Sequence, residues 1–272
     1  MRKLLVVGDP ILDVYHIGSR SSSGFNVSDK IIRPGGSANI AAACRQLCLD
    51  TEIIEEPGHI DELYEKQYYW DETLREVIFS LNHYTQMDKT QYYLGWVGNS
   101  EEYSHIDVVI LGDYNKGVFT ETETMSTAAK SNWLLVDSRY KTLPKEVMLR
   151  FGSQKKVWHA TGNEFDLEWA SEMGFDYIVN SAGEDPVRIW AKANGKWISF
   201  GKLIVPPTKP INTCGAGDTL VATIGSYLTT VEHNDTLDLI KAVEVGIRVC
   251  QEVIRKPFTA VPNYTLEYYV HN

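Results

Sequence analysis

The 272-residue sequence predicts an α/β protein in which helices wrap a mainly parallel central sheet in three layers. Three observations carry that expectation. Short β-like apolar runs alternate with longer amphipathic ones along most of the chain. The short runs are apolar at successive positions, as strands buried on both faces require. Hydrophobic residues make up 43% of the chain and aromatics 11%, enough to fill one large core.

Taken in order, "KLLVVG" reads as a first strand, and its four-residue apolar run is expected to be too short for a signal peptide. "SANIAAACRQLC" follows as a helix, "TEIIE" as a strand and "DETLREVIFSLN" as an amphipathic helix. "IDVVILG" and "WLLVDS" are strands flanking a helix over "FTETETMSTAAK", and "DYIVNS" is a further strand. Two helices close the chain, "GAGDTLVATIGSYLTT" and "TLDLIKAVEVGIRVCQEVI", with apolar residues recurring at three and four. Two segments break the alternation, near 14–33 and near 84–97, and are expected to leave the main sheet as a small β lid. Tyrosines and tryptophans crowd residues 64 to 103, which fits a lid surface or an oligomer contact. The whole of 1–272 is expected to form one domain.

A net charge of −10 and a pI near 5.2 lack the basic footprint of nucleic-acid binding. No run of about 18 apolar residues exists to cross a bilayer, so the expected partner is a small molecule in the cytoplasm. Cysteines 44, 48, 214 and 250 form no CxxC pair and read as free thiols in a reducing compartment.

Chemistry is concentrated in three places. In "TCGAGDT", Gly215, Ala216 and Gly217 open a helix whose bare N–H groups can hold an anion, and Asp218 sits beside them to handle a proton. Helix capping alone also accounts for an acid there. In "RPGGSANIA", Gly35 and Gly36 let backbone approach a ligand, and Asn39 offers both a donor and an acceptor to a hydroxyl. Asp9 and Asp13 fall near the carboxyl end of the first strand, where ligands bind in open α/β sheets. The stretch "HIGS" meets only part of the HxGH signature of nucleotidyltransferases, because Ser19 stands at the second histidine.

Together these segments resemble the ribokinase-like (PfkB) carbohydrate kinases over nearly the whole chain. Asn212 to Asp218 is similar to that family's Asp-Thr-x-Gly-Ala-Gly-Asp signature, with Asn212 at the first acid. Gly35, Gly36 and Asn39 match its double-glycine motif and sugar-contacting asparagine, and Asp13 its sugar-binding aspartate. Asn163 to Asp166 resembles its NxxE, and "NSAGEDP" its Thr-x-Gly-x-x-Gly, with Ser181 and Gly183 retained and Pro186 at the last glycine. Within the family, "GDPILDVYHIG", "RPGGSANIA", "LGDYNKGVFT" and "LVDSRYKTL" look most like the kinase domain acting on D-glycero-D-manno-heptose 7-phosphate.

The resemblance implies ATP-dependent phosphorylation of a sugar or sugar phosphate hydroxyl on a ribokinase-like αβα fold. Asp218 would be the base and Gly215, Ala216 and Gly217 the anion hole. Asp13, Gly35, Gly36 and Asn39 would bind the sugar, with Lys116 and Arg139 on the phosphate it already carries. Asn163, Ser181 and Gly183 would contact the nucleotide. Asp166 would organise Mg2+ through water, and the resemblance leaves a K+ requirement open. A homodimer through the lid is implied by the same analogy. Asn212, Pro186 and the divergent residues 55 to 84 also leave open a catalytically reduced binding protein.

Overall fold

In the computed structural model, residues 1–56, 62–86, 106–116, 118–119, 130–162, 165–232 and 235–271 are described. The central sheet has eight strands. Its parallel part is built from β1 (Arg2–Gly8), β4 (Thr51–Glu56), β7 (Ile106–Asp113), β8 (Lys130–Ser138), β9 (Gly152–Thr161) and β10 (Tyr177–Ala182). Two antiparallel strands, β11 (Asp185–Ala193) and β12 (Lys196–Leu203), extend one edge, giving the order β12-β11-β10-β9-β8-β7-β1-β4.

Side-chain alternation along these strands divides the core into two. Leu4, Val6, Val108, Ile110 and Leu135 face α1 (Ser37–Leu47), α4 (Ala216–Thr230) and α5 (Thr236–Val253). Leu5, Val7, Val109, Leu111 and Val136 face the other layer, which includes α2 (Lys145–Arg150) and α3 (Leu167–Glu172). A short α6 (Leu266–His271) packs against α5. The continuously apolar strands thus bury both faces, as the three-layer expectation required. No described helix is long and apolar enough to cross a membrane.

A second sheet of four strands, in the order β3-β2-β5-β6, stands apart from the first. It contains the hairpin β2 (Pro10–Ser21) and β3 (Gly24–Gly36), then β5 (Glu62–Asp71) and β6 (Glu76–Gln86), with β2 and β5 parallel. The expected excursion near 14–33 falls inside its hairpin. The second one, near 84–97, meets the described chain only at 84–86, the end of β6; the remainder lies outside the described residues.

The stretch "DETLREVIFSLN", expected as a helix, is a turn followed by β6. Asp71 explains the difference: its carboxylate accepts from the N–H groups of Thr73 and Leu74 at 2.9 and 3.0 Å, and its carbonyl from Arg75 N at 2.7 Å. That local turn competes with helix formation, and Val77, Ile78 and Phe79 then favour a strand. The helix expected over 119–130 lies almost wholly outside the described residues, apart from Phe119 and Lys130, which begins β8.

Leu4 is fully buried while Leu49 is 74% exposed. Leu4→Ala is expected to lower unfolding free energy by about 2–5 kcal/mol, whereas Leu49→Ala should stay within about 0.5 kcal/mol of the parent. Urea denaturation midpoints of the three proteins check this.

Candidate active site

The carboxyl ends of β1, β7, β8, β9 and β10, the N-terminus of α4 and the hairpin of the small sheet converge on one cleft. Asp9, directly after β1, is buried, and its carboxylate organises the loop beyond β7. It accepts from Tyr114 N at 2.8 Å, Lys116 N at 3.1 Å and Val118 N at 3.0 Å. Burial pushes the Asp9 carboxyl up, and these amides pull against it. The next acid, Asp113, is held from Ser138 Oγ at 2.7 Å and from Thr142 Oγ1 at 2.8 Å, which joins the loops after β7 and β8.

Asp218 lies in the first turn of α4, half-buried, where the helix dipole favours an anion. Gly215 precedes it as the N-cap with φ of 79°, a left-handed conformation natural to glycine. A Cβ on Gly215 would lie 2.7 Å from Asn39 Nδ2, so the glycine also admits that side chain. The N–H of Ala216 is engaged by Thr213 O at 3.2 Å, while those of Gly215, Gly217 and Asp218 have no partner among the described residues. Of the three residues expected to form the anion hole, Gly215 and Gly217 thus keep N–H groups without a partner among the described residues, and Ala216 does not.

Both oxygens of Asp218 are engaged. Asn39 Nδ2 donates to Oδ2 at 2.9 Å and the Tyr114 hydroxyl contacts Oδ1 at 2.9 Å. Burial, followed by the nearby Asp137 carboxylate, pushes the Asp218 carboxyl up to about 7, against the pull of Asn39 and Tyr114. Asn39 is fully buried; its Nδ2 braces this acid, while its Oδ1 has no hydrogen-bond partner among the described residues.

Asp13 occupies the opposite wall, on β2 of the small sheet, where it stands in register with Arg33 and Lys66. Thr259 Oγ1 donates to its Oδ2 at 2.5 Å and Tyr68 donates to Oδ1 at 3.4 Å. Burial lifts its carboxyl to about 6, with Thr259, Lys66 and Tyr68 pulling it down. Gly35 is required beside it, because a Cβ there would sit 2.8 Å from Asp13 Oδ1. Gly36 turns the chain into α1 as its N-cap.

Asn212 anchors this wall. Its Nδ2 donates to the Tyr15 hydroxyl at 3.1 Å, and its Oδ1 accepts from Cys214 N at 3.0 Å. Tyr15 also accepts from Thr259 N at 3.0 Å, so its own hydrogen is left for Thr259 Oγ1 at 2.8 Å. A directed chain results, from Asn212 through Tyr15 and Thr259 to Asp13. An aspartate at 212 has no hydrogen to start it.

On the far side of Asp218 opens a cavity of about 740 Å3. Ser181, Gly183, Arg139 and Gly217 line it, with apolar walls from Val205 and Ile247. Arg139 thus shares a cavity with Ser181 and Gly183. Lys116, expected beside Arg139 on one phosphate, does not line that cavity; its ammonium lies 3.7 Å over the Tyr64 ring, toward the small sheet.

Asp166, expected to organise magnesium through water, already has protein partners on both oxygens. It is the N-cap of α3, its Oδ1 taking Glu168 N and Trp169 N at 3.0 Å each, and its Oδ2 taking Lys141 at 2.9 Å. Lys141 and these amides hold its carboxyl below the ordinary range. Asn163 lies outside the described residues. Among the described residues no group of three or more His, Cys, Asp and Glu side chains is placed to hold a metal ion.

Five functional candidates escaped the sequence reading: Tyr15, Tyr114, Asp137, His159 and Thr259. Tyr114 and Asp137 stand within the two stretches "LGDYNKGVFT" and "LVDSRYKTL", and their position just at or beyond a parallel strand end was the available signal. Tyr15 and Thr259 are 244 residues apart, and nothing local marks their contact.

Ribokinase from Thermotoga maritima superposes with a TM-score of 0.65 at 12% identity, covering 100% of both chains. A nucleoside kinase from Methanocaldococcus jannaschii gives 0.63 at 15% identity, over 100% of this chain and 97% of that one. Ribokinase from Arabidopsis thaliana, complexed with ribose and ATP, gives 0.60 at 12% identity, over 99% and 97%. The fold is the ribokinase fold. In sequence, a curated bifunctional protein HldE from Hydrogenovibrio crunogenus is 24% identical over 301 aligned positions, covering 95% of this chain. The chain spans 60% of the length of that relative. No family model matches the chain.

Asp218 and Asp13 both bind protons more tightly in the folded chain than in an unfolded one. Stability is therefore complete below about pH 4 on their account and declines as pH rises through about 6 and 7. Asp218→Asn should accordingly melt above the parent protein at pH 8, and the gap should narrow toward pH 4. Thermal melts across that range, without ligands, check the sign.

Proposed function

We propose that this protein is an ATP-dependent kinase acting on a sugar or sugar phosphate hydroxyl, most favourably a heptose 7-phosphate. One observation carries the reading: a half-buried acid of raised pKa beside two free amide N–H groups, set between a large cavity and a second buried acid. ATP would lie in the cavity, its purine between Val205 and Ile247 and its phosphates directed at the start of α4. The sugar would lie on the Asp13 side, with its acceptor oxygen at Asp218.

Asp218 would accept the hydroxyl proton as that oxygen attacks the γ-phosphoryl group. The amides of Gly215 and Gly217 would stabilise charge on the phosphoryl oxygens, fixed in place before the reaction begins. Asp13, held by Thr259 and Tyr68, would orient the sugar; correct placement alone supplies a large share of the rate gain. Magnesium, which neutralises phosphate charge when bound, belongs to the proposal through the family resemblance. The heptose preference rests on the motif resemblance and on the similarity to the bifunctional protein; the ATP assignment is supported by the solved complex with ribose and ATP.

ADP release from ATP and magnesium should depend on sugar in a panel containing pentoses, hexoses, nucleosides and heptose 7-phosphate, with the last leading. An unphosphorylated substrate in the lead would overturn the heptose assignment, and no sugar-dependent release would overturn the kinase. Asp218→Asn should lower kcat roughly 10²–10⁴-fold while leaving ATP affinity nearly unchanged. Comparable turnover in the variant removes Asp218 from the role.

A further inference from the structure

Four adjacent parallel strands place a row of polar side chains along the carboxyl edge of the sheet. Tyr114 follows β7, Asp137 is the last residue but one of β8, His159 is near the end of β9 and Ser181 belongs to β10, in the order of the strands across the sheet. Asp137 and His159 stand directly opposite each other in register. The Tyr114 hydroxyl is 2.9 Å from Asp137 Oδ2, His159 Nδ1 is 2.8 Å from Asp137 Oδ1, and His159 Nε2 is 2.9 Å from Ser181 Oγ. Asp137 and His159 are buried. With the contact from Tyr114 to Asp218, the row joins the proposed base to the wall of the cavity.

Counting hydrogens along the row assigns them. The Tyr114 hydroxyl has one hydrogen, yet it lies at hydrogen-bond distance from two carboxylate oxygens. One of those contacts therefore needs a proton on a carboxyl group. Asp137 already faces His159 Nδ1, whose N–H it accepts, so Tyr114 and His159 can both donate to Asp137. Burial favours the additional proton on Asp218 Oδ1, donated to the tyrosine oxygen, while Ser181 donates to His159 Nε2. Every contact in the row is satisfied by this arrangement.

We infer that Asp137, held by His159 and facing Asp218 across the Tyr114 hydroxyl, is a positioning residue that keeps the proposed base protonated at rest, and that Asp137 and Tyr114 oppose each other in setting the pH above which that base can accept a substrate proton. The inference rests on the kinase reading for the word base, although the proton count does not. Groups facing Asp218 are Asn39 from α1, Tyr114 and Asp137 from the strand ends, Asp13 from the small sheet and Cys250 from α5. Of these, Asp137 is the carboxylate reached through a shared hydroxyl, so it should add to the effect of burial on the titration. Asp137→Asn reverses the tyrosine: the new amide can donate to its oxygen and frees the hydroxyl hydrogen for Asp218. Tyr114→Phe instead removes the hydroxyl hydrogen that can turn from Asp137 to Asp218 once Asp218 is ionised, and leaves the opposing carboxylate in place. The two variants should move the titration in opposite directions.

The test is a carbon-13 NMR titration of the free protein labelled at aspartate side chains, with the Asp218 resonance assigned by its loss in Asp218→Asn. Asp137→Asn should shift its midpoint down by about one pH unit and Tyr114→Phe should shift it up. Folding of each variant is checked by its thermal melt, and His159→Gln, which retains a donor toward Asp137, should stay near the parent. Movement of both midpoints in one direction, or no movement, overturns the inference. The acid limb of kcat against pH, measured with the sugar that supports turnover, should follow the same shifts. Shifted midpoints in a protein that turns over no sugar would retain the network and remove the kinase; turnover with fixed midpoints would do the reverse.

Discussion

A single buried carboxylate, Asp9, fixes the loop on which the cleft depends. By accepting three backbone N–H groups from the segment after β7, it holds the end of β1 to that loop and presents Tyr114 to both Asp137 and Asp218. Losing a partner of a buried charge is far more costly than losing a surface contact, so the loop has little freedom to relax. Without it, the strand ends would still be aligned, but the acid at α4 would lose one of its two braces.

The rest of the cleft follows from the same constraint applied to other groups. Polar atoms at the carboxyl edge of a buried sheet must satisfy one another. Asp113 does so through Ser138 and Thr142, and Asp13 through Thr259 and Tyr68. Asn212 shows how finely the donors are assigned. An amide gives a hydrogen to Tyr15 and accepts one from Cys214 N, whereas a carboxylate can only accept. The departure from the resembled signature is thus matched by a hydrogen-bond arrangement that needs it.

Much of the main sheet was legible because its strands are apolar at successive positions, a pattern that follows directly from burial on two faces. The α4 start was legible too, since glycines before an apolar helix have a recognisable chemistry. Residues 71–82 were misread because their apolar spacing suits a helix, while the turn formed by Asp71 depends on a single side chain. The aromatic strand β5 was recognised only as a compositional bias. Lys116 and Arg139 looked equivalent in the sequence, but one faces the small sheet and the other the cavity, a separation only the fold provides. Asp166 shows the converse: its match to a motif was real, yet capping α3 and pairing with Lys141 account for both of its oxygens.

The central claim is that Asp218 takes a proton and forms no bond to phosphorus. The stereochemistry of transfer from ATP carrying a chiral γ-phosphoryl group, made with three oxygen isotopes, reads this directly. One in-line displacement by the sugar oxygen predicts inversion at phosphorus. Retention, the result of two displacements through an aspartyl phosphate, would contradict the account.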